Sequence, residues 1–284
     1  MYLDYLGLHA PPFALLPDTA FFYAGWQHQA ALNTLLLASS AGEGFIKITG
    51  EVGTGKTLLC RTFLAALEAD CLSAFLPNPC LTPPAILSAI ASELGLADFR
   101  AEEPLQALHG ALIEQAARGR RVVLCLDEAQ AMSDEGLETL RLLGNLETEK
   151  QKLLQVVLFG QPELDQRLAR RELRQFAQRI AFSHRLGVLA REELDAYLGH
   201  RLGTAGYRGA PLFSQAAAAA LYRYSGGVPR LINILAHKTL LLLYGRGQRR
   251  VRAADVAQAA LDTPAAPRRW LAHAEARLPA WLGT

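Results

Sequence analysis

Short apolar segments alternate with helical segments through the first two-thirds of this sequence, and the alternation ends after Leu186. The apolar segments lie at residues 44–49, 72–76, 121–126, 155–159 and 181–186. Helical patterns lie between them, at residues 28–39, 56–69, 85–94, 105–118 and 134–146. Strands that alternate with helices are typical of βαβ units, whose strands form a parallel sheet. This part of the chain is therefore predicted to fold as an α/β domain.

From residue 188 onwards the pattern is helical. Four helices are predicted, at residues 191–205, 214–225, 230–244 and 253–261. Ser214 is a predicted N-cap, and Gly206, Gly226 and Gly245 are predicted to end three of these helices in the left-handed conformation. The predicted organisation is an N-terminal segment (1–43), an α/β core (44–187), a helical lid (188–263) and a tail (264–284).

The composition excludes several classes of protein. Because 51% of the residues are hydrophobic and 20% are charged, extensive disorder is excluded. A net charge of +2 does not by itself predict nucleic-acid binding. The longest uncharged stretch, residues 19–42, contains several polar side chains, so no membrane-spanning helix is predicted. Four cysteines without metal-ligand spacing and a start unlike a signal peptide predict a cytoplasmic protein with free thiols.

The tail is amphipathic. Trp270, Leu271, Leu278 and Trp281 recur at near-helical spacing behind two arginines. A segment of this kind predicts either docking on a membrane surface or a partner protein, or packing against the helical lid of the same chain. The sequence leaves these alternatives open.

A glycine-rich motif joins the first predicted strand to the following helix. It matches the pattern G-x-x-x-x-G-K-[ST] and consists of Gly50, Glu51, Val52, Gly53, Thr54, Gly55, Lys56 and Thr57, with Leu58 next in the helix. Glycines allow the backbone N–H groups of such a loop to surround phosphate oxygens at the helix N-terminus. Lys56 would neutralise the β- and γ-phosphates, and the Thr57 hydroxyl would bind Mg²⁺. The motif predicts a nucleotide-binding site for ATP or ADP.

A second motif supplies two adjacent carboxylates. The apolar strand at residues 121–126 is followed directly by Asp127 and Glu128. Asp127 is predicted to hold Mg²⁺ through water, and Glu128 to polarise the attacking water. Adjacent acids after a strand are also found as solvated turn residues, but beside the glycine-rich motif they favour hydrolysis over mere binding.

Further polar residues follow the later strands. Gln161 comes directly after the strand at 155–159, where its amide would orient water or contact the γ-phosphate; capping the following loop is the alternative. Arginines cluster before the last strand, and Arg179 is placed to reach a neighbouring subunit, although most such charges are solvated. Arg230 begins a helix after two glycines, where it faces either the sheet or solvent.

Several sequence motifs together resemble one family. They are PPFALLPDTAFFY, GEGFIKITGEVGTGKTLLCR, VVLCLDEAQ, VLFGQPEL, LRQFAQRI and GGVPRLIN, and they run in order over residues 3–262. The chain resembles AAA+ ATPases of the ExeA/GspA type, from type II secretion and pilus systems. Within that group it is most similar to the MshM-type ATPases of MSHA (type IV) pilus biogenesis.

The resemblance implies a role for each matching residue. The implied fold is a P-loop AAA+ domain, with a parallel five-stranded sheet and helices on both faces, followed by an all-α lid. The implied roles are Walker A for Lys56 and Thr57, Walker B for Asp127 and Glu128, sensor 1 for Gln161, sensor 2 for Arg230, arginine finger in trans for Arg179 with Arg174 as the second candidate, and adenine binding for residues 18–28, including Phe22.

Two features depart from the wider pattern. AAA+ proteins usually carry Asn, Ser or Thr at sensor 1, whereas Gln161 follows the narrower ExeA-type pattern. Long relatives continue into a transmembrane helix and a periplasmic peptidoglycan-binding domain, and this sequence ends at Thr284 without either. We therefore expect no direct peptidoglycan function and favour the shorter MshM-type branch.

The leading hypothesis is a Mg²⁺-dependent ATPase that supports assembly of a pilus or secretion machine. The implied partners are further copies of the same chain, as in a hexamer, and an inner-membrane assembly protein. The implied location is the cytoplasmic side of the inner membrane. The alternatives are a DNA-associated AAA+ ATPase, for which the single short basic loop is weak support, and an ATP-dependent scaffold with little hydrolysis.

Overall fold

The computed structural model describes residues 2–96, 104–147 and 152–266. Its five strands are β1 (Phe45–Gly50), β2 (Cys71–Leu76), β3 (Arg121–Leu126), β4 (Gln155–Gly160) and β5 (Ile180–Leu186). They form one sheet in the order β2-β3-β4-β1-β5, and every neighbouring pair is parallel. Each strand lies within one residue of its predicted position. The predicted parallel five-stranded sheet is confirmed.

In the described residues, twelve helices accompany the sheet. They are α1 (Tyr2–Leu6), α2 (Trp26–Ser40), α3 (Lys56–Ala65), α4 (Pro83–Glu93), α5 (Pro104–Ala117), α6 (Asp134–Leu143), α7 (Pro162–Leu168), α8 (Arg174–Ala177), α9 (Leu194–Thr204), α10 (Gln215–Ser225), α11 (Pro229–Gly245) and α12 (Ala253–Leu261). Short 3₁₀ turns lie at Thr19–Phe21, Ala129–Ala131, Arg171–Leu173 and Arg191–Glu193. Helices cover both faces of the sheet, and the chain after β5 is helical.

The described chain divides into two compact units. The sheet unit comprises Trp26–Val52 and Lys56–Gly187, and the helical unit comprises the residues up to Gly25, the turn Gly53–Gly55 and the chain from Val188 onwards. The break at Gly187 separates the last strand from the helices that follow. The N-terminal residues belong to the helical unit.

Strands β3 and β4 are almost entirely apolar because both of their faces are covered. Every residue of β4 is buried, and β3 is buried from its second residue onwards. The one polar side chain at the start of β4, Gln155, accepts a hydrogen bond from Ser39 Oγ (3.0 Å) and donates one to Ser39 O (2.8 Å). A strand buried on both faces reads as a continuous apolar run, which explains why the sequence located these strands so closely.

A buried arginine holds the N-terminal segment in the helical unit. Arg201 of α9 donates from Nε to the carbonyl of Pro12 (2.6 Å) and from Nη2 to that of Ala14 (3.1 Å). Its guanidinium also lies 4.9 Å from the ring centroid of Phe21. Burial lowers the pKa of Arg201, but its donors are matched by backbone acceptors. The irregular first residues are thereby fixed without strands or long helices.

Three predicted helix ends were wrong. Helix α3 was expected to reach residue 69 but ends at Ala65. The Ala66 N–H is shared between carbonyls four and three residues back, and the Leu67 N–H bonds only three residues back, which tightens the chain into a turn. Helix α6 ends at Leu143 instead of residue 146, and Gly144 follows it where a Cβ would lie 2.1 Å from Phe45 Cε2. Helix α11 continues through Gly245, and Gly247 has the left-handed φ of +63°.

Two further expectations concern the membrane and the tail. Within the described ranges, no helix has the length and apolar composition needed to cross a bilayer. The predicted amphipathic tail falls almost entirely on residues 267–284, which lie outside the described residues. Its proposed docking therefore stays a prediction from the sequence.

Candidate active site

The parallel arrangement brings three motif-bearing strand ends to one edge of the sheet. In register, Thr49 of β1 lies beside Gly160 of β4, and Leu126 of β3 lies beside Leu158 of β4. The residues that follow β1, β3 and β4 therefore meet at their carboxyl ends. Ligands of open α/β sheets bind at this edge.

The loop between β1 and α3 requires glycine at two positions. Gly53 has a φ of +83° and Gly55 a φ of +101°, a region that L-residues with a side chain rarely adopt. In the helical unit, a Cβ on Gly53 would also lie 2.8 Å from the Cβ of Arg230. A loop of this form ahead of a helix N-terminus is typical of phosphate-binding sites.

The other loop residues differ in exposure. Thr54 is buried, Leu58 is half-buried, and Glu51 and Val52 are exposed. Which of these residues contact nucleotide stays a prediction.

The Lys56 ammonium is held inside the loop. Its Nζ donates to the carbonyls of Gly50 (2.8 Å) and Glu51 (3.1 Å). Burial lowers the pKa of Lys56, and the negative charges of Glu128 and Asp127 act in the opposite direction. An ammonium has three donors, so one remains for an anionic ligand after the two loop carbonyls are satisfied.

Thr57 and Asp127 form a hydrogen-bonded pair of oxygen-bearing side chains. Thr57 Oγ1 donates to Asp127 Oδ2 at 2.5 Å, and Asp127 Oδ1 accepts the N–H of Glu128 at 3.0 Å. Burial raises the pKa of Asp127, while the hydrogen bonds from Thr57 and Glu128 lower it. A hydroxyl beside a buried carboxylate is a hard-oxygen donor set, which fits Mg²⁺ completed by water and phosphate oxygens.

Glu128 stands at a strained backbone position. Its φ is +55°, the one non-glycine residue with positive φ in the described part of the chain. Its Oε2 accepts hydrogen bonds from Gln130 Nε2 (2.5 Å) and Gln161 Nε2 (3.0 Å). Positive φ on such a residue persists only where the surroundings hold it, and it is concentrated at functional sites.

Helix α7 is anchored on two sides and fixes the loop that precedes it. Asp165 forms an ion pair with Lys47 of β1 and accepts a hydrogen bond from Thr49 Oγ1 at 2.9 Å. Arg167 donates to the carbonyls of Gln130 (2.9 Å) and Met132 (2.5 Å). The loop after β4 is therefore tied both to β1 and to the turn after β3.

The two candidate fingers lie in the sheet unit near the start of β5. Arg174 and Arg179 are exposed, and neither side chain forms a hydrogen bond or ion pair with a residue in the described ranges. The charge of Arg179, together with the stronger hydrogen bond from Lys152, lowers the pKa of Glu147. The structure does not bring either arginine into the hydrogen-bonded group around Glu128.

The remaining two predicted residues lie in the helical unit. Arg230 is the second residue of α11, its N–H donates to the carbonyl of Gly53 (3.1 Å), and its side chain is exposed. Phe22 is half-buried and follows the 3₁₀ turn Thr19–Phe21. The sensor 2 and adenine-pocket roles of these residues stay predictions.

Sequence reasoning missed three residues that build the site. Gln130, Asp165 and Arg167 received no role, although Gln130 is the last letter of the quoted motif VVLCLDEAQ. Its spacing of two residues from Glu128 was the available signal. The contacts of Asp165 and Arg167 depend on how α7 packs, which no local pattern indicates.

Comparisons with known proteins agree with this geometry. Residues 39–168 match the family described as AAA domain. The chain is 40% identical over 265 residues to the general secretion pathway protein A of Aeromonas hydrophila. Residues 39–168 therefore resemble an AAA domain, and the chain is similar to AAA+ ATPases of the ExeA/GspA type. The match to the general secretion pathway protein covers 92% of this chain, and this chain spans 48% of that relative.

Solved structures with the same fold align with more of this chain than residues 39–168. The ORC2 protein of Aeropyrum pernix in its ADPNP–ADP complexes has a TM-score of 0.65 and 18% identity, over 92% of this chain and 75% of that one. Cdc6p of Pyrobaculum aerophilum has a TM-score of 0.65 and 16% identity, over 86% and 70%. At such identities the likeness shows the P-loop AAA fold alone.

Proposed function

We propose that this protein is a Mg²⁺-dependent ATPase whose nucleotide cycle supports assembly of a type IV pilus of the MSHA kind or of a type II secretion machine. The observation that carries the proposal is the side-chain group formed by Thr57, Asp127 and Glu128 at the glycine-rich loop. The 40% identity to a general secretion pathway protein supports the assembly role.

The loop residues would bind the triphosphate. Lys56 would turn its free donor to the phosphate oxygens, and Thr57 and Asp127 would hold Mg²⁺ on the same side of the loop. When bound there, Mg²⁺ would supply positive charge that offsets the negative charge of the phosphates and of the transition state. Because the Thr57 hydroxyl and the Asp127 carboxylate are already adjacent, little rearrangement is needed to form this set.

Glu128 would act on the attacking water. A carboxylate with one oxygen held by neighbouring amides can orient water with the other and accept its proton. Gln161 donates to Glu128 and lies at the end of β4, so its amide would also contact the water or the terminal phosphate. Positioning and charge stabilisation supply most of the rate enhancement in phosphoryl transfer.

The exposed arginines would complete the site in an oligomer. Arg179, with Arg174 as the second candidate, would contact the nucleotide of a neighbouring copy, and Arg230 would sense nucleotide from the helical unit. Phe22 would contact adenine. The assembly would act at the cytoplasmic side of the inner membrane through a partner protein.

The first test measures ATP hydrolysis against protein concentration, with Lys56→Ala and Glu128→Gln as matched variants. Wild-type activity should rise more steeply than linearly, because a neighbour completes each site. Glu128→Gln should lower turnover by about 10²–10⁴-fold, the usual contribution of a general base, and keep ATP binding. Lys56→Ala should lose ATP binding as well.

The outcomes separate the alternatives. Turnover that is negligible and equal in wild type and Glu128→Gln, with ATP binding intact, would favour a scaffold. Activation by duplex DNA but not by inner-membrane vesicles would favour the DNA-associated alternative. Restoration of surface pili or secretion by wild type, but not by Glu128→Gln, in a strain lacking the protein would support the assembly role.

A further inference from the structure

The Gln130 side chain bridges the two loops of the candidate site. It lies on the 3₁₀ turn Ala129–Ala131, and it is half-buried. Its Nε2 donates to Glu128 Oε2 at 2.5 Å, and its Oε1 accepts the backbone N–H of Gln161 at 2.9 Å. A backbone N–H can only donate, so the carbonyl end of this amide must face Gln161. The NH₂ end must therefore face Glu128.

The bridge determines which oxygen of Glu128 is free. Oε2 accepts from the side-chain amides of both Gln130 and Gln161, at 2.5 Å and 3.0 Å. Within the described ranges, no residue donates to Oε1. The terminal torsion of a glutamate is broad when nothing holds it. Two donors on Oε2 restrict this freedom, and Oε1 keeps its acceptor capacity.

The turn that carries Gln130 is itself held from outside. Arg167 of α7 donates to the Gln130 carbonyl at 2.9 Å and also forms an ion pair with Asp134. The left-handed backbone of Glu128 immediately precedes this turn. The position of the Gln130 amide is thus fixed by α7, and so is the direction of the carboxylate that it contacts.

We infer that Gln130 is a positioning residue that orients the Glu128 carboxylate and couples it to Gln161. The inference rests on the proposed function, because its consequence is the presentation of Oε1 to the attacking water. Gln130 acts through Glu128 and contacts no reacting atom. Any shift of Gln161 at the end of β4 is transmitted to Glu128 through the shared oxygen and the Gln130 bridge.

Two substitutions of Gln130 distinguish its hydrogen bond to Glu128 from its hydrogen bond to Gln161. Gln130→Glu keeps the acceptor for the Gln161 N–H but places a second carboxylate against Glu128. Gln130→Met keeps the length and removes both hydrogen bonds. Both should lower kcat by about 10–100-fold, the effect of misplacing a reacting group by a fraction of an ångström to 1 Å. KM for ATP and the Kd for ADP should stay within about twofold. Gln166→Met, an exposed glutamine on α7, is the matched control and should leave kcat unchanged.

A double variant tests the coupling. If Gln130 and Gln161 act on one carboxylate as a unit, Gln130→Met/Gln161→Met should lose no more activity than the more damaging single variant. Additive losses would overturn the coupling. Unchanged kcat in both Gln130 variants would overturn the positioning role. A kcat loss matched by equal losses of ADP affinity and thermal stability would assign Gln130 a structural role instead.

A spectroscopic measurement on the protein without nucleotide is independent of turnover. In protein labelled with ¹⁵N at the glutamine side chains, Glu128→Ala should move the NH₂ resonances of both Gln130 and Gln161. The Gln166 resonance should stay in place. Unmoved Gln130 resonances would overturn the inference. Wild-type turnover that does not depend on Glu128, with the Gln130 shift present, would instead overturn the proposed function and leave the bridge intact.

Discussion

The carboxyl edge of the sheet and the arginine segment before β5 hold their side chains in opposite ways. At the sheet edge, Thr57, Asp127 and Glu128 are linked by hydrogen bonds between 2.5 and 3.0 Å. In the arginine segment, the side chains of Arg174 and Arg179 are exposed and form no hydrogen bond or ion pair with the described residues. One region is organised before any ligand arrives, and the other is not.

The difference follows from what each region is proposed to contact. A group that stabilises charge within its own chain gains most when it is already oriented, because no reorganisation is then needed during the reaction. A group that acts on a neighbouring copy must extend into solvent, and its rotamer freedom is lost only on assembly. The helical unit repeats the contrast, since Arg201 is buried and hydrogen-bonded while Arg230 is exposed.

The largest expected effect would come from substituting an exposed arginine of the segment before β5. Arg179→Ala should lower ATP turnover by about 10³–10⁵-fold, the usual cost of removing an arginine finger. ATP binding to the isolated chain should change little, because Arg179 lies outside the hydrogen-bonded group around Glu128. Steady-state hydrolysis at protein concentrations that support oligomers measures the loss.

Arg174→Ala is the matched control for this prediction. Both arginines are exposed, and they lie five residues apart on the same segment, so both substitutions remove one surface charge. If Arg174→Ala loses the activity and Arg179→Ala keeps it, Arg174 is the arginine finger and Arg179 is not. Full activity in both variants would refute the idea that the exposed segment completes a neighbouring site.

The organised region could be predicted from the sequence more completely than the unattached one. The strands were located within one residue because continuous apolar runs such as residues 121–126 occur where both sheet faces are covered. The loop at residues 50–57 was recognised because its chemistry depends on residue type at fixed spacing. The places of Asp127 and Gln161 at the same sheet edge followed from parallel topology.

The remainder depended on packing between distant segments. The Gln130 bridge forms because the turns after β3 and β4 approach each other. Gln130 and Gln161 are 31 positions apart in the sequence. Phe45 packs where a Cβ at Gly144, just after α6, would lie. The attachment of residues 12–14 to Arg201 likewise joins segments almost 190 residues apart. Local patterns do not contain such information.

A smaller effect would distinguish Arg201 from Arg230, both in the helical unit. Arg201→Met should lower the free energy of unfolding by about 3 kcal/mol, because the carbonyls of Pro12 and Ala14 lose charged donors in a buried position. Arg230→Met should change it by less than about 0.5 kcal/mol, as is usual for exposed positions. Denaturant unfolding measures both.

In measurements of ATP hydrolysis the ranking should reverse, with Arg230→Met having the larger effect and Arg201→Met the smaller. Arg230→Met should change ATP hydrolysis, since a sensor acts on bound nucleotide, while remaining as stable as wild type. If Arg230→Met is as active as wild type, or destabilises the protein as much as Arg201→Met, then exposure does not separate functional from structural arginines in this unit.

The smallest effect tests whether the loop is organised by its backbone as well as its side chains. Gly53→Ala should lower the free energy of unfolding by about 1–3 kcal/mol, because φ is +83° and the new Cβ would lie 2.8 Å from Arg230 Cβ. Gly199→Ala in α9 is the control: its Cβ would meet nothing within 4 Å, so helix propensity alone predicts a gain of about 1 kcal/mol. Opposite signs in urea unfolding are the expected result. A Gly53→Ala protein as stable as wild type would mean that the loop relaxes freely, and the contrast with the arginine segment would then rest on hydrogen bonds alone.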